Sequence, residues 1–219
     1  MCFSATASFS AGIAITAIGI VTLKKAHQPR AYLFASIPLL FGIQQITEGF
    51  VWLSFMNPAY LAWQKAASIL FIVFAQAIWP LLGPLSMLLI EKNKKRRKLL
   101  RLLTGLGFSI SAYRLIWLCF FNVHATLAGH HINYLFDSEA AFSPLVPAIY
   151  FISTVLPPFV SGVKKMWAIG LAVISSFLFT RLFYGEYLVS VWCFSAALIS
   201  AIVFLIVFDL KKSFLEGTS

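Results

Sequence analysis

The sequence predicts an all-α polytopic membrane protein, a single seven-transmembrane-helix bundle over residues 1–219 with its N-terminus outside and its C-terminus cytoplasmic. Three observations predict it. Hydrophobic residues make up 60% of the 219 and charged residues only 11%, with mean hydropathy +0.89, whereas a soluble domain is about half apolar and about a quarter charged. The apolar residues gather into seven stretches, each near the length needed to cross a hydrocarbon core of about 30 Å. Fourteen of the seventeen Lys and Arg fall in connections that lie on one side of a seven-crossing chain. A disordered chain is excluded by the same composition, in which Phe alone occurs 22 times.

The stretches run at about 6–23, 31–55, 66–90, 99–121, 141–160, 167–185 and 187–208. The first is the shortest, and its Gly12 and Gly19 are expected to pack closely on neighbouring helices. The second carries the polar-aromatic stripe Gln44, Gln45, Glu48 and Trp52. In the third, Gln76 and Trp79 precede Pro80 and Pro84, which remove backbone donors and leave carbonyls in need of partners. The fourth holds Arg114 and the sixth Arg181. The sixth and seventh are separated only by a Gly185-Glu186 corner, because one crossing from 167 to 208 would be far too long. The connection 122–140 is expected to be a polar loop.

Orientation follows from charge. Lys24, Lys25 and Arg30, then Lys92, Lys94 to Lys98 and Arg101, then Lys164 and Lys165, then Lys211 and Lys212 share one side. The other side has Lys65 alone. The positive-inside rule makes the basic side cytoplasmic. The run Lys92 to Lys98 is read as topogenic and in contact with anionic headgroups, not as a nucleic-acid site, since no folded soluble domain accompanies it. Trp63 and Trp167 read as interfacial anchors. No secretory signal is expected, because the first eight residues contain no Lys or Arg.

Ionisable groups within a span are functional candidates by default. Glu48 and Arg114 each lie seven residues before the expected outer ends Phe55 and Phe121, about 10 Å in at a rise of about 1.5 Å per residue. Glu186, Ser190 and Cys193 share one face of the seventh stretch, and Cys193 reaches the same level. With Gln44, Gln45, Trp52, Gln76, Trp79 and Arg181 they predict a polar, water-accessible pocket in the outer half of the bundle. A purely structural reading makes Glu48 and Arg114 an interhelical pair and the glutamines hydrogen-bonding glue.

His124, His130 and His131 cluster in HATLAGHHINY. Adjacent residues of a regular element point apart, so one of His130 and His131 at most would join Glu48 in a metal site. Zinc takes three or four ligands, and this spacing alone is a weak signature. Cys2, Cys119 and Cys193 all fall toward the outside, where a disulfide is permitted and one thiol would be left over. Cys2 and Cys193 are candidate nucleophiles, given a neighbouring base.

The opening MCFSATASF, the strings LLFGIQQITEGFVW, IWP and GHHINY, and SVWCFSAA together resemble an uncharacterised family of bacterial seven-helix integral membrane proteins. The resemblance implies a compact bundle in a bacterial inner membrane and carries no assigned reaction. Its motif strings include Cys2, Phe3, Ser4, Gln44, Gln45, Glu48, Gly49, Trp52, Trp79, Pro80, His130, Tyr134, Trp192 and Cys193. Retinal proteins fit less well, since 187–208 has no Lys for a Schiff base. Ceramidase-type hydrolases fit less well because that stretch has no His. Small sugar transporters share the topology, but helices 1–3 and 5–7 show no matching repeat.

The leading expectation is a binding or sensory membrane protein. Glu48 would be its main anion, Arg114 or Arg181 the counter-charge, and Gln44, Gln45 and Gln76 the orienting groups. The alternative is an intramembrane hydrolase with Glu48 as general base, assisted by His130 or His131 through a metal-bound water. A transporter ranks third, because the cytoplasmic halves of the spans offer only Ser and Thr as polar side chains.

Overall fold

The computed structural model describes residues 4–129, 131–137, 145–183 and 195–216. Helix α1 (Ala5–Lys25) begins at Ser4, whose hydroxyl accepts from Ala7 N at 3.2 Å as an N-cap. The short α2 (Tyr32–Ala35) is separated from α3 (Ile37–Met56) by Ser36 alone, a kink set by Pro38 in the first turn of α3. Helix α4 (Leu61–Val73) passes through a π-helical turn, Phe74–Ile78, into α5 (Trp79–Ile90). Helix α6 (Lys94–Phe120) leads to an antiparallel hairpin, β1 (Val123–Ala128) and β2 (His131–Phe136). Then follow α7 (Leu145–Val155), the short α8 (Pro157–Val160) begun by Pro157, α9 (Met166–Phe183) and α10 (Ala196–Glu216).

Helical structure thus occupies each of the seven stretches. Among the described residues, four helices are long and apolar enough to cross a membrane: Ala5–Lys25, Pro58–Ile90, Lys94–Phe120 and Met166–Phe183. Leu145–Val160 and Ala196–Leu210 are shorter apolar helices. Leu102, Phe108, Ile116, Leu171, Leu178 and Leu182 are exposed on α6 and α9, the apolar exterior expected of a membrane protein.

Three boundaries differ from expectation. The fourth helix starts at Lys94, not near 99, because Asn93 caps it and accepts from Lys95 N at 2.9 Å and Arg96 N at 3.2 Å. The third begins at Pro58, where Asn57 caps a 3₁₀ turn that runs into α4. The expected polar loop is the hairpin, whose burial alternates with the strand pleat.

Two cores lie at opposite ends of the bundle. At the basic end, Ala26, Phe34, Met87, Leu100, Met166, Val203 and Ile206 pack together. At the hairpin end, Ala5, Val51, Trp52, Phe71, Ile72, Val123, Ile132 and Tyr134 do. Small residues set the α1–α3 contact. A Cβ on Gly19 would strike the Leu39 backbone, and one on Gly42 would strike Thr16, so the backbones approach as only glycine permits.

Candidate functional site

The polar stripe of α3 is turned inward. Gln44 and Glu48 are 0% exposed and Gln45 1%, and Trp52 is buried with them. Residues three, four and seven apart share a helix face, which aligns Gln45, Glu48 and Trp52. Glu48 lies eight residues before Met56 and Arg114 six before Phe120, about 12 and 9 Å from the hairpin end. Arg114, 5% exposed, is buried on α6 near the Tyr150 phenol of α7.

The Gln44 amide is fixed by Trp79, whose Nε1 donates to Oε1 at 2.7 Å while its indole stacks on Phe41 with ring centroids 3.9 Å apart. Gln45 differs. Neither its Oε1 nor its Nε2 has a hydrogen-bond partner among the described residues, and the same holds for Trp52 Nε1.

The π-helical turn beside this stripe has a chain-level cause. Trp79 N donates to Phe74 O, the five-residue step of a π-turn. Ala75 O would next look to residue 80, but Pro80 has no N–H. The Tyr150 hydroxyl fills that gap, donating to Ala75 O at 2.6 Å. Ser111 Oγ on α6 donates to Ala77 O at 2.5 Å. The irregular turn, with half-buried Gln76 in it, is thereby tied to α6 and α7.

The hairpin closes this end. Register pairs Val123 with Phe136, Ala125 with Tyr134 and Leu127 with Ile132. That face meets the bundle, where Tyr134 stacks on Phe71 at 4.9 Å and Trp117 packs against Phe136. His131 and His124 occupy the opposite strand face. At the turn end of the hairpin His131 is half-buried and its Nδ1 is shielded from solvent, whereas His124 is exposed.

Arg181, expected slightly nearer the outer surface than Glu48 and Arg114, is exposed near the end of α9. Cys2, His130, Glu186, Ser190 and Cys193 lie outside the described residues. Cys119 is exposed and its thiol is free. Among the described residues, no three of His, Cys, Asp and Glu gather as a metal ion would require.

Several residues escaped sequence reading. Ser111, Tyr150 and Ser68 carry no spacing signal. Glu91, beside the basic run Lys92 to Lys98, is only 5% exposed. It accepts from Gly162 N at 2.5 Å, Asn93 N at 2.9 Å and Ser161 Oγ at 3.3 Å, joining the α5–α6 turn to the α8–α9 turn. Burial acts to raise its pKa, but these hydrogen bonds, with one from the Lys92 backbone, outweigh it and hold the carboxyl below its ordinary value. Arg97 Nη1 donates to Leu88 O at 3.1 Å and Glu91 O at 2.9 Å, satisfying carbonyls at the end of α5.

Residues 1–214 match the family described as Family of unknown function (DUF6629), and the chain belongs to it. No curated protein and no solved structure matches the chain.

Proposed function

We propose that this family member is a binding or sensory protein of a bacterial inner membrane. In this reading the chain crosses seven times with its N-terminus outside, and the buried layer near the hairpin end receives a small polar ligand or an ion. Glu48 supplies the negative charge and Arg114 the counter-charge. Gln44 is held by Trp79 and serves as the fixed wall, while Gln45 and Trp52 face the ligand with unused groups.

The observation that carries this is Gln45. A buried amide left unsatisfied costs about 1–3 kcal/mol, and native proteins keep such groups where an ion, a water or a function uses them. Oε1 asks for a donor, while Nε2 and Trp52 Nε1 ask for acceptors, so a ligand bearing both kinds of group fits best. The hydrolase alternative would need a metal-bound water, and among the described residues no three of His, Cys, Asp and Glu gather to hold a metal. Transport would need polarity continuing to the basic end, where the core is apolar.

The test is thermal unfolding of the purified protein against a panel of Na⁺, K⁺, short amides and amino acids. At least one should raise the midpoint in proportion to its occupancy. Gln45→Leu and Glu48→Gln should abolish that response. Without ligand, Gln45→Leu should unfold no earlier than the parent, since an unsatisfied amide is removed. A large destabilisation by Gln45→Leu together with no response from any probe would make the stripe a packing feature.

A further inference from the structure

A second feature sits where the hairpin meets α4. Gln64, Lys65 and Ser68 on α4 face Asn122 and His124 across a cleft of about 270 Å³. Ser68 is 1% exposed, and its hydroxyl has no hydrogen-bond partner among the described residues. Lys65 lies in the early turns of α4, apart from the basic runs of the chain. Its ammonium is held by a neutral group, Asn122 Oδ1 at 3.0 Å, and it joins no ion pair among the described residues.

The carboxylate at the edge of the cleft is already engaged. Asp137 accepts from Asn122 Nδ2 at 3.1 Å on one oxygen and meets His124 Nε2 at 2.8 Å on the other. The amide of Asn122 is thereby oriented, its nitrogen toward Asp137 and its oxygen toward Lys65. One uncompensated positive charge, the Gln64 amide and a buried hydroxyl remain directed at one space. The 3₁₀ turn before α4 and the first turn of α4 expose Tyr60, Leu61 and Trp63, an amphipathic surface of the kind that lies at a bilayer interface.

We propose that this cleft binds a phosphate group, carried either by a phospholipid headgroup or by a free phosphate ester. A phosphate offers several acceptor oxygens to the ammonium and hydroxyl donors, and lysine binds it as a point charge. The site is separate from the buried layer on α3 and stands or falls independently of it.

Binding to the full-length protein in detergent is measured with four probes: dihexanoyl-phosphatidylglycerol, glycerol 3-phosphate, inorganic phosphate and dihexanoylglycerol. Phosphate-bearing probes should bind and dihexanoylglycerol should not. Lys65→Gln and Ser68→Ala should each weaken binding about tenfold or more, with Lys65→Arg close to the parent. Thermal unfolding of each variant, unchanged from the parent, separates lost binding from lost fold. Preference for the lipid over the two soluble phosphates identifies a headgroup site, and equal binding a free-phosphate site. No binding by any phosphate probe, or binding that both substitutions leave intact, overturns the proposal.

Discussion

Among single residues, Glu91 has the sharpest consequence. A buried carboxylate that accepts from two backbone amides and a hydroxyl ties two turns together at the basic end. Hydrogen bonds to a charged group contribute about 1.5–3 kcal/mol each side of a mutation, so Glu91→Gln should destabilise the protein by about that amount at neutral pH. Because its pKa is lowered from the ordinary 4.5, the contribution is complete above 4.5 and is lost as pH falls through the depressed value. Chemical denaturation at neutral and strongly acidic pH checks this: the gap between parent and Glu91→Gln should close only in the acid series. A gap unchanged across pH would deny the carboxylate its role. Glu48 and Arg114 were legible in the sequence because a charge within an apolar stretch is conspicuous. Glu91 was not, since an acid beside seven bases reads as solvated, and only the α8–α9 turn, 70 residues on, buries it. The exposure of Arg181 was not legible either, because a base inside an apolar stretch says nothing about which face it occupies.

At the level of elements, α5 and α6 show how a proline and a glycine cooperate. Pro84 has no N–H for the carbonyl of Pro80, four residues before it. That carbonyl points at Gly107, where a Cβ would collide with it. Gly105, one half-turn earlier on α6, has nothing within 4 Å of its would-be Cβ. Gly107→Ala should therefore destabilise by about 1–3 kcal/mol through overpacking, whereas Gly105→Ala should be neutral or stabilising by about 0.5–1 kcal/mol. Unfolding of the two variants in the same detergent decides it, and equal effects would remove the close approach as the cause. The seven helical stretches were legible because spans of about 20 apolar residues have few other fates. The hairpin was overlooked although its signal was present: Val123, Ala125 and Leu127 alternate with His124 and Thr126, and Ile132 and Tyr134 with His131 and Asn133, on either side of Gly129 at φ 61°. The histidines in that string drew the reading toward metal chemistry. The π-turn was invisible, since Pro80 predicts a freed carbonyl and not the extra residue that accommodates it.

For the whole molecule, the decisive property is which end faces the cell interior. The bases of the α5–α6 and α8–α9 turns converge with Lys24 and Lys25 on one end, next to the core of Ala26, Leu100 and Met166. The hairpin and Lys65 of α4 lie at the other. In the proposed orientation, drawn from the charge asymmetry, the basic end is cytoplasmic, and the buried stripe and the Lys65–Ser68 cleft would lie toward the exterior. Single cysteines, introduced one at a time into a chain carrying Cys2→Ser, Cys119→Ser and Cys193→Ser, report the orientation. Thr126 is exposed on the hairpin face away from the bundle, and Lys164 is exposed in the α8–α9 turn. Thr126→Cys should react with a membrane-impermeant maleimide in intact cells, while Lys164→Cys should react only after permeabilisation. The reverse pattern would invert the bundle, hand the basic end to the exterior, and require any ligand of the Glu48 layer to arrive from the cytoplasm.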